Sequence, residues 1–371
     1  MKSSFLPRRA FVGGLAASVL TGFAPAVHSE KRGRYADSMS FLPENPDHVR
    51  LSGLDLFIAD VSRGKVDTHP NGHTFYHRTF ELCDQSITEA AARIRTEMPD
   101  MQIALSDRDL HRKDKVSAIF QFQGCEPIGR ELSRMQYFRD KGLRILQLTH
   151  NESNMHATAY TEEQSGHGLT RLGIDGIAEM NRIGLIPHVS HASEASTLEA
   201  VYHSKRPVIL SHGSCRTLLD HPRAATDRMI RAVTESGGIF GVFMMSFWLT
   251  NSKMPKPEHY TAHIRYAVNV AGIDSVGIAN DYPMEGHSFN GAAFDNANHT
   301  AKYYGSWWTK NRERGIPGFG PMPAHAVIPE FNTLNRMERI HEALLKSGFK
   351  PREVDRIMGD NWTRFFMDYL R

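Results

Sequence analysis

Residues 207–212 read Pro-Val-Ile-Leu-Ser-His, an apolar run that ends in His212. Residues 185–191, Leu-Ile-Pro-His-Val-Ser-His, and residues 276–281, Val-Gly-Ile-Ala-Asn-Asp, have the same form and end in His191 and Asp281. Short apolar runs of this kind, followed by a polar side chain, are typical of buried strands in a parallel sheet. These segments therefore predict strands whose carboxyl ends carry residues suited to chemistry.

The same pattern recurs along the chain, and most of its repeats are separated by segments of helical period. The predicted strands are 35–41, 53–61, 116–123, 143–150, 185–191, 207–212, 238–244 and 276–281. The predicted helices include 174–183, 194–203, 227–235, 260–270, 334–346 and 354–369. This alternation predicts an α/β protein, a parallel (β/α)8 TIM barrel. A doubly wound open sheet is the alternative, but the sequence lacks the G-x-G-x-x-G turn that such a fold would need for phosphate binding.

Composition and charge are those of an ordinary globular protein: 371 residues, 40% hydrophobic and 23% charged. Lys+Arg number 44 and Asp+Glu number 41, a net charge of +3. Lys2, Arg8 and Arg9 are the only charges before residue 27, so the rest of the chain carries 3 − 3 = 0. A neutral body does not favour binding to nucleic acid or to an anionic membrane. No internal repeat, low-complexity tract or Ser/Gly linker divides residues 34–371, so a single barrel domain is expected over residues 30–371.

The first residues have the pattern of an export signal. Arg8-Arg9-Ala10-Phe11 precedes an apolar stretch at 12–27, and Ala24-Pro25-Ala26 supplies small residues for cleavage. This is typical of a twin-arginine signal peptide, here over residues 1–29. The apolar stretch is shorter than about 20 residues and contains glycines, so it does not favour a stable membrane anchor. We therefore expect a bacterial periplasmic protein.

Polar residues follow five of the predicted strands directly. They are Gln123, His150, His191, His212 and Asp281. Active sites of TIM barrels are built at the carboxyl ends of the strands, so we expect these side chains to lie together. A single histidine there is most often a hydrogen-bonded structural residue. Three histidines and an aspartate at one rim, however, are suitable ligands for a zinc-like ion that activates water.

Several stretches resemble the membrane dipeptidase (renal dipeptidase) family, peptidase family M19, from about Arg34 onwards. The stretches are Gly142-Leu143-Arg144-Ile145-Leu146-Gln147-Leu148-Thr149-His150-Asn151, Gly168-Leu169-Thr170-Arg171-Leu172-Gly173, Glu179-Met180-Asn181-Arg182-Ile183-Gly184, Val189-Ser190-His191-Ala192-Ser193, Pro207-Val208-Ile209-Leu210-Ser211-His212-Gly213-Ser214, His221-Pro222-Arg223 and Ala271-Gly272-Ile273-Asp274-Ser275-Val276-Gly277-Ile278-Ala279-Asn280-Asp281. They occur in the family order and at the family spacing. The resemblance implies a (β/α)8 barrel that hydrolyses dipeptides with two zinc ions.

The resemblance also implies roles for individual residues. His191 and His212 match the two histidines that bind the second zinc ion, and His150 matches the histidine that steadies the tetrahedral intermediate. Arg223 matches the arginine that receives the substrate carboxylate, and a guanidinium can hold a carboxylate through two hydrogen bonds. Asp281 matches the acid near the substrate amine and leaving group.

The metal ligands depart from the family pattern. Met39 and Phe41 stand where the first strand of the family carries a His-x-Asp pair that binds the first zinc ion, and Gln123 stands at the bridging glutamate. An amide is a poor metal bridge, and thioether and phenyl groups do not replace imidazole and carboxylate. We therefore expect one zinc ion rather than two, at His191 and His212 with Gln123 at the edge of the site.

Other residues could complete a metal site. His69, His73 and His77 lie in one loop, although a solvated polar loop is the more usual role because Pro70 and Gly72 prevent a regular helix. Cys125 and Cys215 follow two strand ends, although a small buried thiol is the more usual role for each.

Three functions remain open from the sequence. The first is a metal-dependent dipeptidase-like hydrolase with an atypical metal centre, which acts on a small peptide. The second is a periplasmic tailoring enzyme that acts on a peptide or aminoacyl compound in the same pocket. The third is a metal-free protein that binds such a compound without chemistry. The resemblance also favours a homodimer.

Overall fold

The predicted apolar runs form strands in the computed structural model, which describes residues 33–68, 74–286, 305–306, 308–313, 315–316 and 318–371. In chain order the strands are β1 Ala36–Ser40, β2 Leu56–Asp60, β3 Lys65–Thr68, β4 Thr74–His77, β5 Met101–Ile103, β6 Val116–Gln123, β7 Leu143–Gln147, β8 Ile186–His188, β9 Leu210–Gly213, β10 Phe240–Val242 and β11 Val276–Ile278. Each of the eight predicted strands overlaps one of these, and β9 extends one residue beyond its predicted end.

Helices fill most of the connections between the strands. They are α1 His48–Leu51, α2 Phe80–Glu97, α3 Asp107–Leu110, α4 Ser133–Asp140, α5 Arg171–Ile183, α6 Glu194–His203, α7 Asp227–Glu235, α8 Pro257–Ala271, α9 Arg336–Lys346, α10 Pro351–Asp355 and α11 Asn361–Tyr369. Hydroxyl side chains of Thr170, Ser193 and Thr226 cap the amino ends of α5, α6 and α7 by accepting a backbone N–H. The bounds of α6 and α7 are those that the sequence predicts.

Eight of the strands are parallel neighbours that follow one another in chain order, and β5 pairs in parallel with β6 outside this path. One sheet has the order β1-β2-β6-β7-β8, and a second has β9-β10-β11. A parallel bridge between His188 and Ile209 joins the two sheets. On the other side, Asp281 N donates to Met39 O at 2.9 Å and Ser38 Oγ donates to Ile278 O at 2.9 Å, which joins β11 to β1. The predicted (β/α)8 architecture is confirmed.

The amino-terminal end of the barrel is closed by α11. A buried cluster joins aromatic residues of this helix to six isoleucines, four within strands and two just before β9 and β10: Ile58, Ile119, Ile145, Ile186, Ile209 and Ile239. Trp362 stacks on Phe366 with ring centroids 5.7 Å apart, and both are fully buried. Gly277 lies against the Trp362 indole so closely that a Cβ would overlap it. The opposite, carboxyl-terminal end of the barrel is where the polar residues lie.

One sequence prediction concerns residues outside those that the structure describes. The proposed signal peptide, residues 1–29, lies outside the described residues and stays a prediction. Within the described part of the chain, no helix is both long enough and apolar enough to cross a membrane. The described residues from Gly33 onwards form one compact unit.

Candidate active site

Five of the predicted site residues lie at the carboxyl ends of barrel strands, and Arg223 lies in the connection between β9 and α7. Gln123 is the last residue of β6, and His212 lies within β9. His150, His191 and Asp281 each follow a strand by three residues, after β7, β8 and β11. Contacts between side chains show that the histidines meet at one mouth, as the alternation of strands and helices predicts.

His191 and His212 face each other across this mouth. Their Nε2 atoms are 3.1 Å apart, and both residues are buried. His150 stacks on the His191 ring with centroids 4.6 Å apart. His188, in the layer below, meets His212 edge to face at 5.4 Å. Four imidazoles therefore form a contiguous group.

Burial keeps this group of imidazoles neutral. It lowers the pKa of His150, His188, His191 and His212 well below the usual value, and the charge of Arg223 lowers all four further. A neutral imidazole has one ring nitrogen with a free lone pair, which is the form that binds a metal ion.

Asn151 fixes the tautomer of His191. This asparagine was not among the predicted site residues. Its Oδ1 lies 2.9 Å from His191 Nδ1, and an amide oxygen can only accept, so Nδ1 carries the proton. The Nε2 lone pair of His191 is then directed at His212. An outer hydrogen bond of this kind is typical of histidines that bind metals. Asn151 directly follows His150 in the sequence, which is the one signal that pointed to it.

The His191–His212 pair fits one metal ion in part. Zinc bound to two imidazoles at tetrahedral angles places their nitrogens about 3.3 Å apart, close to the 3.1 Å found here. Over residues 33–68, 74–286 and the described segments after 305, no group of three or more His, Cys, Asp or Glu is arranged to hold an ion. Among the described residues, His191 and His212 thus fit two of the ligands of a zinc ion.

Arg223 lies next to this pair in an aromatic enclosure. Its guanidinium carbon is 5.9, 5.2 and 5.4 Å from the ring centres of Tyr160, Phe243 and Trp248. Its Nη2 donates to the carbonyl of His212 at 3.3 Å, while its buried Nε has no partner among the described residues. Burial lowers the pKa of Arg223 to about 10. A desolvated guanidinium with an unused donor is suited to bind an anion.

Asp281 is the carboxyl group whose charge acts most strongly on Arg223, where it raises the pKa of the guanidinium. Burial raises its pKa to about 7, and the Arg223 charge opposes that rise. Asp37 and Asp60 raise it further by like-charge repulsion. Burial raises the pKa of Asp281 more than the charge of Arg223 lowers it. Asp281 is therefore partly protonated and partly ionised near neutral pH.

Beside Gln123, the other side of the mouth holds Asp60, Arg78 and Glu126, which were not among the predicted site residues. Gln123 Nε2 donates to Asp60 Oδ2 at 3.0 Å, and Asp60 is the last residue of β2. Arg78 is buried, and its charge lowers the pKa of both Asp60 and Glu126. An acid that ends the apolar run Leu56-Phe57-Ile58-Ala59 was a signal for Asp60, whereas Arg78 and Glu126 lie in loops without such a pattern.

Met39 and Phe41, which stand where the family carries its first metal ligands, pack in the protein interior. Met39 is fully buried, and its sulfur accepts from Gln121 Nε2 at 2.7 Å. Phe41 is half-buried against the main core. Asp37 faces Asn280, from which it accepts a backbone and a side-chain hydrogen bond at 2.9 and 2.7 Å.

The alternative metal ligands divide into two groups. His69 and His73 lie outside the described residues. Cys125 and Cys215 are buried thiols whose pKa is raised by burial. Cys125 Sγ donates to Gln147 O, and Cys215 Sγ donates to His263 O, each at 3.4 Å. These contacts are those of structural thiols rather than of metal ligands.

Solved structures share this fold. An amidohydrolase from Pseudomonas aeruginosa is 24% identical with a TM-score of 0.71, and the match covers 91% of this chain and 97% of that one. A metallopeptidase from Rhodobacter sphaeroides, liganded with a phosphinate mimic of the dipeptide L-Ala-D-Ala, is 15% identical with a TM-score of 0.71, covering 92% of this chain and 100% of that one. At these identities the likeness establishes the fold alone.

Sequence comparisons identify relatives among curated proteins. Dipeptidase tcpJ from Claviceps purpurea is 27% identical over 260 residues, 69% of this chain and 51% of the relative. Dipeptidase verJ from Clonostachys rogersoniana is 31% identical over 177 residues, 47% of this chain and 45% of the relative. The chain thus spans about half the length of the curated relatives that it matches.

The profile of the membrane dipeptidases, peptidase family M19, matches residues 48–302. The matched range contains Gln123, His150, His191, His212, Arg223 and Asp281, and it begins after β1. The Met39 and Phe41 departures therefore lie outside the matched residues. The chain belongs to the membrane dipeptidase family, peptidase family M19.

Proposed function

We propose that this protein is a metal-dependent, dipeptidase-like hydrolase that cleaves a dipeptide or a related short amide with one zinc ion. The observation that carries the proposal is the position of Arg223. Its Nη2 donates to the carbonyl of His212, whose ring nitrogen is 3.1 Å from that of His191. A site for a carboxylate therefore lies directly beside two neutral imidazoles. Relatives named as dipeptidases support the same activity.

His191 and His212 would hold the ion through their Nε2 atoms. A zinc ion bound in this way supplies a Lewis acid that polarises a carbonyl and lowers the pKa of water. The proton on His191 Nδ1, held by Asn151, keeps the lone pair of Nε2 available.

Arg223 selects the length of the substrate. The guanidinium is buried among three aromatic rings, so a carboxylate that reaches it is removed from water and bound by charge-assisted hydrogen bonds. Because the imidazole pair is adjacent, the amide that meets the imidazoles must be close to that carboxylate. This arrangement favours a substrate of two residues with a free carboxyl end.

His150 and Asp281 supply proton chemistry. His150 is neutral and can donate one N–H to a developing oxyanion. Asp281, with a pKa of about 7, can accept a hydrogen bond from a substrate ammonium when ionised and give a proton from its carboxyl oxygen to a leaving amine when protonated.

The test combines metal content with a matched pair of substrates. We expect about one zinc ion per chain in protein purified without chelators, and loss of that ion in His191→Ala and in His212→Ala. We expect hydrolysis of a dipeptide and little hydrolysis of the same dipeptide with an amidated carboxyl end.

Arg223→Ala should raise KM by about 10- to 100-fold, since a hydrogen bond to a charged group contributes about 1.5–3 kcal/mol. Arg228→Ala, at an exposed arginine, should leave KM unchanged. Equal metal content in wild type and in both histidine variants would refute the site.

A metal-free binding protein is the second candidate. It is favoured by the lack of a three-ligand group among the described residues. In that case the dipeptide binds, binding weakens in Arg223→Ala, and neither metal addition nor long incubation produces cleavage.

A further inference from the structure

Two connections at the carboxyl-terminal end of the barrel meet at the candidate site. We call residues 148–170, between β7 and α5, the β7 connection, and residues 214–226, between β9 and α7, the β9 connection. The β7 connection carries His150 and Tyr160, and the β9 connection carries Arg223. The guanidinium carbon of Arg223 lies 5.9 Å from the Tyr160 ring centre. The surroundings of Arg223 therefore depend on how the two connections are held together.

Arg216 joins the two connections a second time. Its Nη1 donates to both carboxylate oxygens of Glu163, at 3.1 and 3.0 Å. Glu163 lies in the 3-10 helix Tyr160–Ser165, one turn after the tyrosine whose ring faces Arg223. The side chains of Arg216 and Glu163 are 28% and 22% exposed, so this ion pair is more shielded from water than an ordinary surface pair.

Backbone hydrogen bonds link the position of Arg216 to that of Arg223. Arg216 N donates to Ala225 O at 2.9 Å, and Ala225 N donates to Ser214 O at 2.8 Å. These bonds place Arg216 and Ala225 side by side and close the chain between them into a short loop. Inside this loop, Arg223 N donates to His221 Nδ1 at 2.9 Å. Because Arg223 lies two residues from Ala225, a displacement of Arg216 also displaces Arg223.

We propose that Arg216 is a positioning residue that, through Glu163, holds Arg223 at a set distance from the imidazole group. Arg216 acts through the backbone of the β9 connection rather than by contact with the substrate. The ion pair thereby sets the distance that a substrate must span, and with it the preference for two residues. The inference deepens the proposed function and rests on it in one respect, that Arg223 receives the substrate carboxylate.

A second partner of Arg216 supplies an internal control. Its Nε donates to Asp220 Oδ1 at 3.1 Å, and the Asp220 side chain is 89% exposed. Asp220 lies in the β9 connection itself, so this pair does not join the two connections. Glu163→Gln and Asp220→Asn therefore each remove one ion pair from the same arginine, but only Glu163→Gln separates the β9 connection from the β7 connection.

The first test is the steady-state kinetics of Ala-Ala hydrolysis. Glu163→Gln and Arg216→Ala should each raise KM by about 3- to 10-fold with a smaller change in kcat, because the hold on the carboxylate is weakened. The double variant should be no worse than the poorer single variant, since both changes remove the same link. Arg216→Lys should recover part of the loss, and Asp220→Asn should match wild type.

A matched substrate separates positioning from general damage to the site. Ala-Ala amide has no carboxylate for Arg223 to bind, so its slow hydrolysis should be equal in wild type, Glu163→Gln and Arg216→Ala. A wild-type KM for Ala-Ala in both variants, or an equal loss of activity on both substrates, would overturn the proposal.

Hydrogen exchange followed by mass spectrometry gives a readout that needs no substrate. Residues 214–226 should exchange faster in Glu163→Gln and in Arg216→Ala than in wild type, while Asp220→Asn keeps the wild-type rates. Unchanged exchange in the first two variants would contradict the proposal, whether or not any peptide is cleaved.

The two proposals can fail separately. If wild type binds Ala-Ala in a calorimetric titration without cleaving it, and Glu163→Gln weakens that binding, the hydrolase function fails and the role of Arg216 stands. If wild type cleaves Ala-Ala and both variants keep its KM, the role of Arg216 fails and the hydrolase function stands. If wild type neither binds nor cleaves Ala-Ala, the exchange rates of residues 214–226 decide the role of Arg216.

Discussion

His191 and Asp281 share an unusual backbone conformation. With φ values of 67° and 55°, they are the two residues other than glycine with positive φ in the described part of the chain. Such a conformation costs on the order of 1–2 kcal/mol for a residue with a Cβ, so it persists only where the surrounding structure holds it. Here Tyr160 N donates to His191 O, and Asp281 N donates to Met39 O. The barrel, and not local preference, sets the position of both side chains.

At the same scale, the structure predicts the effect of Asn151→Ala. The change removes the acceptor that holds the proton on His191 Nδ1, so Nε2 is no longer fixed as the free lone pair. We expect zinc affinity to fall by about 10- to 100-fold, as for other outer hydrogen bonds to metal-binding histidines. Competition with a chelator measures this directly. Gln136→Ala, which pairs with Asp140 on α4, should keep the wild-type affinity.

Among the elements, α11 has the clearest energetic role. It supplies Trp362, Phe365, Phe366 and Tyr369 to the cluster of strand isoleucines at the amino-terminal end of the barrel. The indole of Trp362 lies against Gly277, where β11 leaves no space for a Cβ. The helix therefore fills the base of the barrel while the opposite end carries the site.

We expect Trp362→Ala to destabilise the protein by about 3–5 kcal/mol, because a large buried aromatic is replaced by a cavity. Chemical denaturation measures the difference. Trp362→Phe should cost less, since the indole Nε1 has no partner among the described residues. Tyr202→Ala, at a side chain that is 84% exposed, is the matched control and should be nearly neutral. Equal losses in Trp362→Ala and Tyr202→Ala would show that α11 does not support the barrel.

The elements also show which parts of the fold the sequence could predict. Barrel strands such as β6 are buried on both faces along their whole length, so they are mainly apolar and visible as apolar runs. The antiparallel hairpin of β3 and β4 and the short strand β5 were not predicted. They are only three or four residues long and pair at the margins of the barrel, where no long apolar run marks them.

For the whole molecule, His263 connects three parts of the barrel rim. Located in α8, it accepts from Cys215 N, beyond β9, and its Nε2 donates to Leu249 O, beyond β10, both at 3.0 Å. In the neutral imidazole, each ring nitrogen therefore makes one hydrogen bond. Burial lowers the pKa of His263 to about 4. Protonation would break the bond to Cys215 N and so loosen the loop that leads to Arg223.

Acid should therefore reduce the contribution of His263 to stability. Its folded pKa of about 4 lies below the usual value of 6.5, so the unfolded chain binds the proton more readily between these values. The contribution is complete above pH 6.5 and is lost as the pH falls towards 4. We expect the difference in unfolding free energy between wild type and His263→Gln to narrow over this range. The pKa shifts of the other titratable groups occur in both proteins, so they cancel in this difference. A constant difference would contradict the assignment.

The candidate site was predictable only in part, for a reason that concerns the whole molecule. His191, His212 and Asp281 follow apolar runs, so barrel geometry places them together. Arg78 and Glu126 lie in connections after β4 and β6, and no local pattern marks them. The pairing of β2 with β6 sets the ends of these two strands side by side, and the charge of Arg78 acts on the carboxyl groups of Asp60 and Glu126. Charges brought together by strand pairing cannot be found from spacing along the chain.

The sealing of the barrel by α11 has a consequence for biosynthesis. The residues that fill its base, Trp362 to Tyr369, leave the ribosome after every strand that they cover. The eight strands are therefore made while one end of their common interior is still open to water. The barrel can reach its fully packed form only once residue 369 has been translated, so any pairing of strands during synthesis takes place before the base is filled.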